Sequence, residues 1–463
     1  MTGRKSDSEN DPKDHPGDRP KELFIDSNDV TGIICPLQKK ETEKEDNMKQ
    51  DYVITGMGAV TPLGIGVDTY WENLIAGKSG IRHITRFDAS ALPVTFAGEV
   101  PDFHPEDFMA KKLVKEMELF MQYGYVAADE AFRDAGLIED EEGNLPIPKE
   151  RIGIVLGTVF SGISEIADVQ NKLSTGEGSK VGPRFITRII GNIAAAEIAI
   201  ARGLKGPSFT VSTACSSGID AISMGIMLLE QDMADAVVCV GAEAATTPLT
   251  IQGLSSIHAL SRRNDDPEKA SRPFDLNRDG FVMAEGGGAV LLEKKESAER
   301  RGARIRCRVA GFANSTDGYH VTSPHPEGIA AVFCMDQAVK TAGMKLTDVE
   351  YINAHGTSTP KGDIIEINAI KTLFGDHAKK LAVSSTKSST GHLMGAGGVT
   401  ETIACVKALE EGILPPTINQ ETPDPECDLD VVPNVARKVP VKTVMCNAFG
   451  FGGQNASLLL TKE

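Results

Sequence analysis

One cysteine in this chain lies where a thiol can become a nucleophile. Cys215 sits in the segment SFTVSTACSSG (208–218), where an apolar, β-branched run gives way to small residues and then to a helical pattern from Ile219 to Glu230. This order predicts a strand, a tight turn and a helix. Because helix N-termini favour an anion, we expect a lowered thiol pKa and a reactive thiolate. The alternative interpretation is a buried, inert cysteine.

Two histidines downstream supply groups suited to hydrogen bonding and proton transfer. His355 lies in YINAHGTSTPKGD (351–363) and His392 in VSSTKSSTGHLMGAGG (383–398), and Lys387 comes five residues before the second histidine. Each histidine follows a short apolar run and lies among Gly, Ser and Thr, where a ligand can approach the backbone. A lone histidine in such a loop is more often a satisfied polar residue. Two histidines, a lysine and a cysteine at a tight turn together indicate covalent catalysis.

A weak internal repeat indicates which elements position these residues. STACSSG (212–218) resembles STKSSTG (385–391), and each segment precedes a helical pattern. Further pairs are YVITG (52–56) with RVAGF (308–312), and DGFVMAEGGGAVLLE (279–293) with NAFGFGGQNASLLL (447–460). Two similar halves that alternate strands and helices predict α/β layers with buried sheets. In this interpretation Cys215 and Lys387 occupy equivalent turns, and the difference between the turns carries the chemistry.

The segment YVITGMGAVTPLG (52–64) has the glycines of a dinucleotide fingerprint in the wrong places. Gly64 follows Pro62, and no acidic residue ends a second strand at the required distance. This segment therefore predicts a strand and a turn rather than a nucleotide site.

Composition excludes several classes of protein. The 463 residues are 41% hydrophobic and 24% charged, as in soluble globular proteins, and are enough for a large core or two fused domains. No apolar run approaches the ~20 residues that span a bilayer. The net charge of −17 argues against nucleic acid as a partner. Eight scattered cysteines without a Cys-x-x-Cys pair suggest neither a zinc site nor a disulfide framework, and favour the reducing cytoplasm.

Residues 1–50 differ from the rest of the chain. They are rich in Asp, Glu, Lys, Ser and Pro, which predicts a disordered extension. Their acidic residues argue against an organellar transit peptide, and they contain no apolar core of a signal peptide. We hypothesise that Met48 is an alternative start and that the extension is dispensable.

Taken together, these motifs resemble the elongating β-ketoacyl-acyl carrier protein synthases, closest to the synthase II type. The segments ACSS, NAHGTST, KSSTGH and NAFGFGGQN occur in that family's order, and the resemblance spans about residues 51–463. It implies an α/β, thiolase-like duplicated fold of five layers, αβαβα, with the site between the halves. The first half, 51–305, carries the nucleophile, and the second, 306–463, carries both histidines, Lys387 and the Gly-rich loop.

The resemblance also implies an activity: decarboxylative Claisen condensation of an acyl group with malonyl-acyl carrier protein. Cys215 would hold the acyl group, and the backbone N–H groups of Cys215 and Phe449 would bind the oxyanion. His355 and His392 would donate from Nε2 to the enolate, supported by Lys387. Asp363 and Glu366 match carboxylates near this set, although Glu366 on a helix surface is the alternative interpretation.

Further positions follow from the same resemblance. Phe449 would also gate the acyl pocket. The substrate-binding positions would be Thr357, Thr359, Thr322, Phe160 and Glu401, the last near Lys387 unless it is a surface charge. Phe160 replaces a smaller aliphatic residue, which predicts a preference for short to medium acyl chains.

The expected partner is an acyl carrier protein, in acyl and malonyl forms, and a homodimer is expected from the family. Lys112 and Lys115 match carrier-binding positions, whereas Glu116 stands where a third basic residue is usual, and Lys111, Arg184 and Arg188 are candidates to compensate. No metal or organic cofactor is expected, because the phosphopantetheine arm arrives with the substrate.

Other functions remain open from the sequence. A polyketide or specialised-lipid ketosynthase would have the same motifs. A thiolase would need a second cysteine in the C-terminal Gly-rich loop, and an initiating synthase would need Asn in place of one histidine. A non-catalytic chain-length partner would lack Cys215. A cysteine hydrolase would need a carboxylate or carboxamide to orient a single histidine.

Overall fold

The computed structural model describes residues 51–176 and 181–463. The predicted extension 1–50 and the alternative start at Met48 lie outside these residues. The strands of the described part are β1 Tyr52–Thr61, β2 Gly64–Ile65, β3 Arg82–His83, β4 Phe96–Ala97, β5 Ile152–Gly157, β6 Ser208–Val211, β7 Ala236–Glu243, β8 Gly286–Lys294, β9 Cys307–Thr316, β10 Tyr351–Asn353, β11 Ala382–Ser384, β12 Ile413–Leu414, β13 Arg437–Lys438, β14 Thr443–Gly450 and β15 Gln454–Thr461.

The α-helices of the described part are α1 Val67–Ile75, α2 Lys111–Glu116, α3 Leu119–Asp134, α4 Ile163–Thr175, α5 Phe185–Ile189, α6 Asn192–Arg202, α7 Ser217–Glu230, α8 Pro248–Ser256, α9 Lys295–Arg300, α10 Ile329–Ala342, α11 Gly362–Phe374, α12 Lys387–Thr390 and α13 Gly397–Glu411. The helices predicted after the two small-residue turns are α7 and α13, each beginning two residues before its predicted start. None of the helices in these ranges combines the length and apolarity needed to cross a membrane.

The main sheet is symmetrical about one strand pair. Its strand order is β11-β10-β14-β15-β9-β1-β8-β7-β5-β6, and β2 adds a short antiparallel pair to β1. Reading outward from the central β1–β9 pair, the two sides match as β8 with β15, β7 with β14, β5 with β10 and β6 with β11. The internal repeat pairs three of these places: β1 with β9, β8 with β15, and the turns that follow β6 and β11. The proposed boundary between residues 305 and 306 falls between α9 and β9.

Three layers of helices pack against this sheet, and each layer contains a large apolar cluster. On one outer face α3 packs on β1, β7 and β8, and on the other α10 packs on β9 and β15. Helices α7 and α13 lie against each other between the two sides of the sheet. A buried apolar cluster lies in each helical layer, with Phe120 in the first outer layer, Ile403 in the middle and Met335 in the second outer layer. The protein therefore has the predicted thiolase-like, five-layered arrangement.

The glycines of the false dinucleotide motif serve helix packing. A Cβ on Gly56 would lie 2.2 Å from the carbonyl oxygen of Ala131, and one on Gly58 would lie 1.9 Å from that of Ala127. Both carbonyls belong to α3, so β1 can lie close to that helix only because these positions lack side chains. As the sequence predicts, the segment forms a strand and a turn.

Candidate active site

Cys215 occupies a strained turn between β6 and α7. Ala214, just before it, has a φ of +52°, a region that residues with a Cβ rarely adopt. The Ser217 hydroxyl holds this conformation, because it donates to the Ala214 carbonyl at 2.6 Å and accepts from the Thr213 N–H at 2.9 Å. Asp220 of α7 adds an acceptor for the Ser216 hydroxyl at 2.8 Å. The turn thereby holds the half-buried thiol toward a cavity.

The prediction that the Cys215 thiol has a lowered pKa is wrong. Burial raises the pKa of Cys215 to about 11, although the Phe451 N–H and the Lys387 ammonium oppose that rise. The free energy needed to remove a thiolate from water is larger than the stabilisation that the turn and the helix terminus give it. The thiol is therefore protonated at neutral pH, and His392 Nε2, 2.9 Å from Sγ, is placed to accept its proton.

The two histidines meet beside the thiol as neutral rings. Their ring centroids are 5.5 Å apart, and the candidate ligand atoms of Cys215, His355 and His392 all lie within 4.8 Å of one another. Burial, and then the charge of Lys387, lowers the pKa of both histidines well below the usual value. Neutral imidazoles can each donate one hydrogen bond to a developing negative charge.

Glu366 of α11 positions the first histidine. Its carboxylate accepts the backbone N–H groups of His355 at 2.9 Å and Gly356 at 2.8 Å, and the side chain is 3% exposed. Asp363, one turn earlier, accepts the Phe274 N–H at 2.9 Å, and burial raises its pKa to about 7. Both carboxylates therefore point inward, and the alternative interpretation of Glu366 as an exposed charge on a helix surface is wrong.

Lys387 and Glu401 form a buried ion pair next to the second histidine. Their side chains are 2% and 5% exposed, and burial raises the pKa of Glu401 against the attraction of Lys387. Glu401 is absent from the residues that line the cavity, so the structure does not support its grouping with the substrate-binding residues. It contacts Lys387, and Lys387 acts on both histidines through its charge.

The Gly-rich loop contributes a different amide from the predicted one. β14 ends at Gly450, and the chain then reverses through Gly452 and Gly453, whose φ values are +83° and +73°. This reversal brings the Phe451 N–H, rather than that of Phe449, to the Cys215 sulfur. The Phe449 ring instead lies 6.0 Å from the His355 ring and lines the cavity. Phe451 is therefore a functional residue that the sequence reasoning missed. Its only signal in the sequence is its place as the second Phe of FGFGG.

A cavity of about 470 Å³ joins these groups to most of the predicted substrate-binding residues. Its lining includes Phe160, Thr322, Thr357 and Thr359 together with Cys215 and both histidines. The hydroxyls of Thr357 and Thr359 are 3.2 Å apart, and Thr322 is exposed at the rim. Phe160 is half-buried and packs against an apolar cluster that includes Met394. The cavity lining thus combines the two threonine hydroxyls with an apolar part beside Phe160.

The predicted carrier-binding lysines lie apart from the cavity lining. Lys112 and Lys115 are exposed on α2. Arg184 binds Glu116 at 2.7 Å, so its charge neutralises the acidic residue that interrupts the basic segment. Arg188 donates to the Lys115 carbonyl at 2.5 Å and pairs with Glu165 at 3.3 Å. The two arginines therefore fix α2 and offset Glu116.

The cysteine and two histidines also have a spacing that a metal ion could use. A metal-binding imidazole normally donates its second N–H to a neighbouring acceptor. In the described residues, the buried Nδ1 atoms of His355 and His392 have no hydrogen-bond partner. Neither imidazole is therefore held at Nδ1 in the way that a metal-binding histidine usually is.

Comparisons with known proteins agree with one another. The family models for the beta-ketoacyl synthase N-terminal and C-terminal domains match residues 49–298 and 306–421. Curated relatives named 3-oxoacyl-[acyl-carrier-protein] synthase 2 include those of Coxiella burnetii, 46% identical over 89% of this chain and 99% of the relative, and Synechocystis, 45% identical over 89% and 98%. Among solved structures, the ishigamide ketosynthase/chain length factor has a TM-score of 0.83 at 34% identity, covering 89% of this chain and 99% of that one. A type II polyketide ketosynthase in complex with its acyl-carrier protein has a TM-score of 0.81 at 31% identity, covering 89% and 100%.

Proposed function

Because the chain belongs to the β-ketoacyl synthase family, we propose that it catalyses a decarboxylative condensation in fatty acid elongation. An acyl group held on Cys215 is joined to the two-carbon unit of malonyl-acyl carrier protein, which gives 3-ketoacyl-acyl carrier protein. One observation carries this proposal: Sγ of Cys215 lies 2.9 Å from Nε2 of a neutral, buried histidine, with a second neutral histidine in the same cavity.

The first step loads the enzyme. The Cys215 proton passes to His392 Nε2 as Sγ attacks the acyl thioester carbon. The resulting oxyanion accepts from the backbone N–H groups of Cys215 and Phe451. The carbon–sulfur bond to the carrier's pantetheine then breaks, and the departing thiolate takes the proton back from His392.

The second step forms the carbon–carbon bond. Malonyl thioester loses CO2, and the electron pair of the broken bond becomes an enolate whose oxygen accepts from Nε2 of His355 and His392. Once Sγ carries the acyl group it no longer donates to His392, so the single ring proton of this histidine moves from Nδ1 to Nε2 by exchange with water and is donated from there to the oxygen. The enolate carbon attacks the acyl carbonyl, the tetrahedral intermediate collapses, and the expelled Cys215 thiolate takes a proton from water. Two hydrogen-bond donors in a dry site suit this charge better than a histidine–carboxylate pair would.

This chemistry assigns no role to a metal or an organic cofactor. The thiol, the two imidazoles and the backbone amides supply every group that the steps use, and the pantetheine arm arrives with the carrier. The seven cysteines in the described ranges are all unpaired, which supports a reducing compartment such as the cytoplasm.

We propose an acyl carrier protein as the partner and α2 as part of its docking surface. Reversing both charges, Lys112→Glu with Lys115→Glu, is expected to raise the carrier KM by about tenfold, because close opposite charges favour encounter and binding. Lys205→Glu, which reverses an exposed lysine outside α2, is the control and is expected to leave KM unchanged. An unchanged KM in the double variant would place the docking surface elsewhere.

We also propose a homodimer formed through the sheet edge nearest Cys215. Strand β6 ends the described sheet on this side, and Phe209 on it is 45% exposed. Met227 of α7 is 44% exposed as well. A second copy on this edge would cover apolar side chains and an open strand. Light scattering should report a dimer, and Phe209→Glu should yield monomer, whereas a persistent dimer would reject this edge.

A polyketide or specialised-lipid ketosynthase is the second candidate function, favoured by the likeness to the structure of a type II polyketide ketosynthase. Intact-mass measurement tests both candidates: the protein is incubated with acyl carriers of several chain lengths, and malonyl carrier is then added. An acyl adduct on Cys215 that disappears as 3-ketoacyl product forms is the result expected for fatty acid elongation. No adduct from any fatty acyl carrier would favour the specialised pathway or a non-catalytic role.

The same measurement tests the expected chain-length preference. We propose that Phe160 shortens the apolar part of the cavity and so favours short to medium acyl chains. Phe160→Ala is expected to extend the profile toward longer chains. An unaltered profile would mean that the ring does not limit the pocket.

A further inference from the structure

A buried carboxylate at the end of β7 holds two separate loops of the cavity. Glu243 is 0% exposed. It accepts the backbone N–H groups of Val159 at 2.8 Å and Phe160 at 3.1 Å, from the loop after β5. It also accepts the Gly395 N–H at 3.2 Å, from the turn after His392. No cation pairs with it in the part of the chain that the structure describes, so backbone amides are its main stabilising partners.

The two loops that Glu243 holds contribute two walls of the cavity, and Phe160 and Met394 pack in the same apolar cluster. Val159 and Phe160 line the cavity from one half of the fold, and Met394 lines it from the other. Met394 has a φ of +49°, a strained conformation that needs support from its surroundings. The walls also meet directly, because a Cβ on Gly395 would lie only 2.7 Å from the Thr158 Cα atom.

We propose that Glu243 is a positioning residue that fixes the separation of these two walls and so sets which acyl chains fit beside Phe160. This inference rests on the proposed function. Both oxygens of a carboxylate accept hydrogen bonds. Here one oxygen accepts the Phe160 N–H, and the other accepts the N–H groups of Val159 and Gly395. An amide of the same size offers one acceptor and turns N–H donors toward the other amide group, so one wall would lose its tie.

The test compares acyl selectivity in Glu243→Gln and in a matched control. Glu130→Gln removes another carboxylate that accepts two backbone N–H groups, those of Ala59 and Val67 at 2.9 Å, and it does not line the cavity. The measurement is the ratio of Cys215 loading rates for the longest and shortest accepted acyl carriers, with the melting temperature recorded for each protein. We expect the ratio to change by at least about fivefold in Glu243→Gln and to stay within twofold of wild type in the control.

Every outcome bears on the inference. A wild-type ratio in Glu243→Gln would make Glu243 a structural residue and overturn the proposal, whatever the change in melting temperature. If that variant does not fold, Glu243→Asp, which keeps both oxygens on a shorter arm, is measured in the same way. Failure of both variants to fold would also overturn the proposal in favour of a folding role. Absence of acyl loading in the wild-type protein would instead reject the proposed function.

Discussion

The two turns that carry Cys215 and Lys387 occupy matching places in the two halves of the sheet, yet they present their side chains differently. Cys215 follows edge strand β6 and faces the cavity half-buried. Lys387 follows edge strand β11, opens the short helix α12, and is sealed against Glu401 with a 2% exposed side chain. The first turn therefore presents a sulfur atom that can contact the substrate, whereas the second turn acts only through the electrostatic effect of the buried Lys387 charge.

This difference separates bond making from electrostatic support. The thiol must reach a carbonyl carbon, so its turn accepts backbone strain at Ala214 and an open face. The ammonium group never needs to touch the substrate, because its charge already lowers the pKa of both histidines and opposes the rise at Cys215. A duplicated fold can therefore divide two roles that a single site would have to combine.

The largest expected effect is loss of the bond-making turn. Cys215→Ala should reduce condensation by at least about 10⁴-fold, because no other group can hold the acyl chain. Decarboxylation of malonyl carrier should survive, because both histidines and Lys387 remain. Product formation and CO2 release, measured separately, check the two claims. Equal loss of both activities would contradict the division of roles.

Breaking the supporting turn should destabilise the protein as well as slow the enolate step. Lys387→Met leaves Glu401 buried without its cation, which is expected to cost about 3–5 kcal/mol of unfolding free energy. Replacing both members, Lys387→Met with Glu401→Leu, should recover most of this stability but not decarboxylation. Denaturant unfolding and CO2 release separate the two effects. Recovered decarboxylation in the double variant would show that the charge is dispensable.

Two glycine substitutions compare the space around each turn. A Cβ on Gly450 would lie 2.9 Å from the Cys215 nitrogen, so Gly450→Ala should displace the thiol or its oxyanion donors and lower kcat by about 10²-fold. A Cβ on Gly397 would meet Glu401 Oε1 at 3.8 Å and His392 Nδ1 at 3.9 Å, which are ordinary contacts. Gly397→Ala should therefore stay within about twofold of wild type. Similar kinetics for the two variants would contradict the contrast.

The last expected effect is on the ionisation of the thiol. Because burial raises the pKa of Cys215 to about 11, alkylation by iodoacetamide should accelerate steadily from pH 7 to pH 10 without a plateau. Lys387 favours the thiolate, so Lys387→Met should raise this pKa further and slow alkylation at pH 8. A plateau below pH 8.5 would mean that the helix terminus outweighs burial.

The sequence predicts the parts of this site that depend on local pattern. Small residues between a β-branched run and a helical pattern indicate the turn at Cys215, and the repeat indicates its counterpart at Lys387. The sequence does not predict which loop amide reaches the sulfur. That choice depends on where β14 ends and the chain reverses, and the FGFGG pattern does not distinguish Phe449 from Phe451 in this respect. Nor does the sequence give the thiol acidity, which depends on burial by residues from the other half.

Glu243 and Glu401 show the same limit for carboxylates. In the sequence, Glu243 follows an apolar run and looks like a charge at a strand end, whereas the fold closes two loops over it. Glu401 lies between two threonines within a helix, and its direction toward Lys387 follows from how α13 packs between the layers. Both roles arise from contacts between segments far apart in the chain.

The hydrogen bond between Cys215 and His392 joins residues 177 positions apart, one from each half of the fold. Either half could regain its own helices and strands before this contact exists, because local contacts form before distant ones. During refolding, acyl transfer should therefore return later than circular dichroism. Catalytic competence then reports the docking of the halves, and the rate at which activity reappears measures that final assembly step.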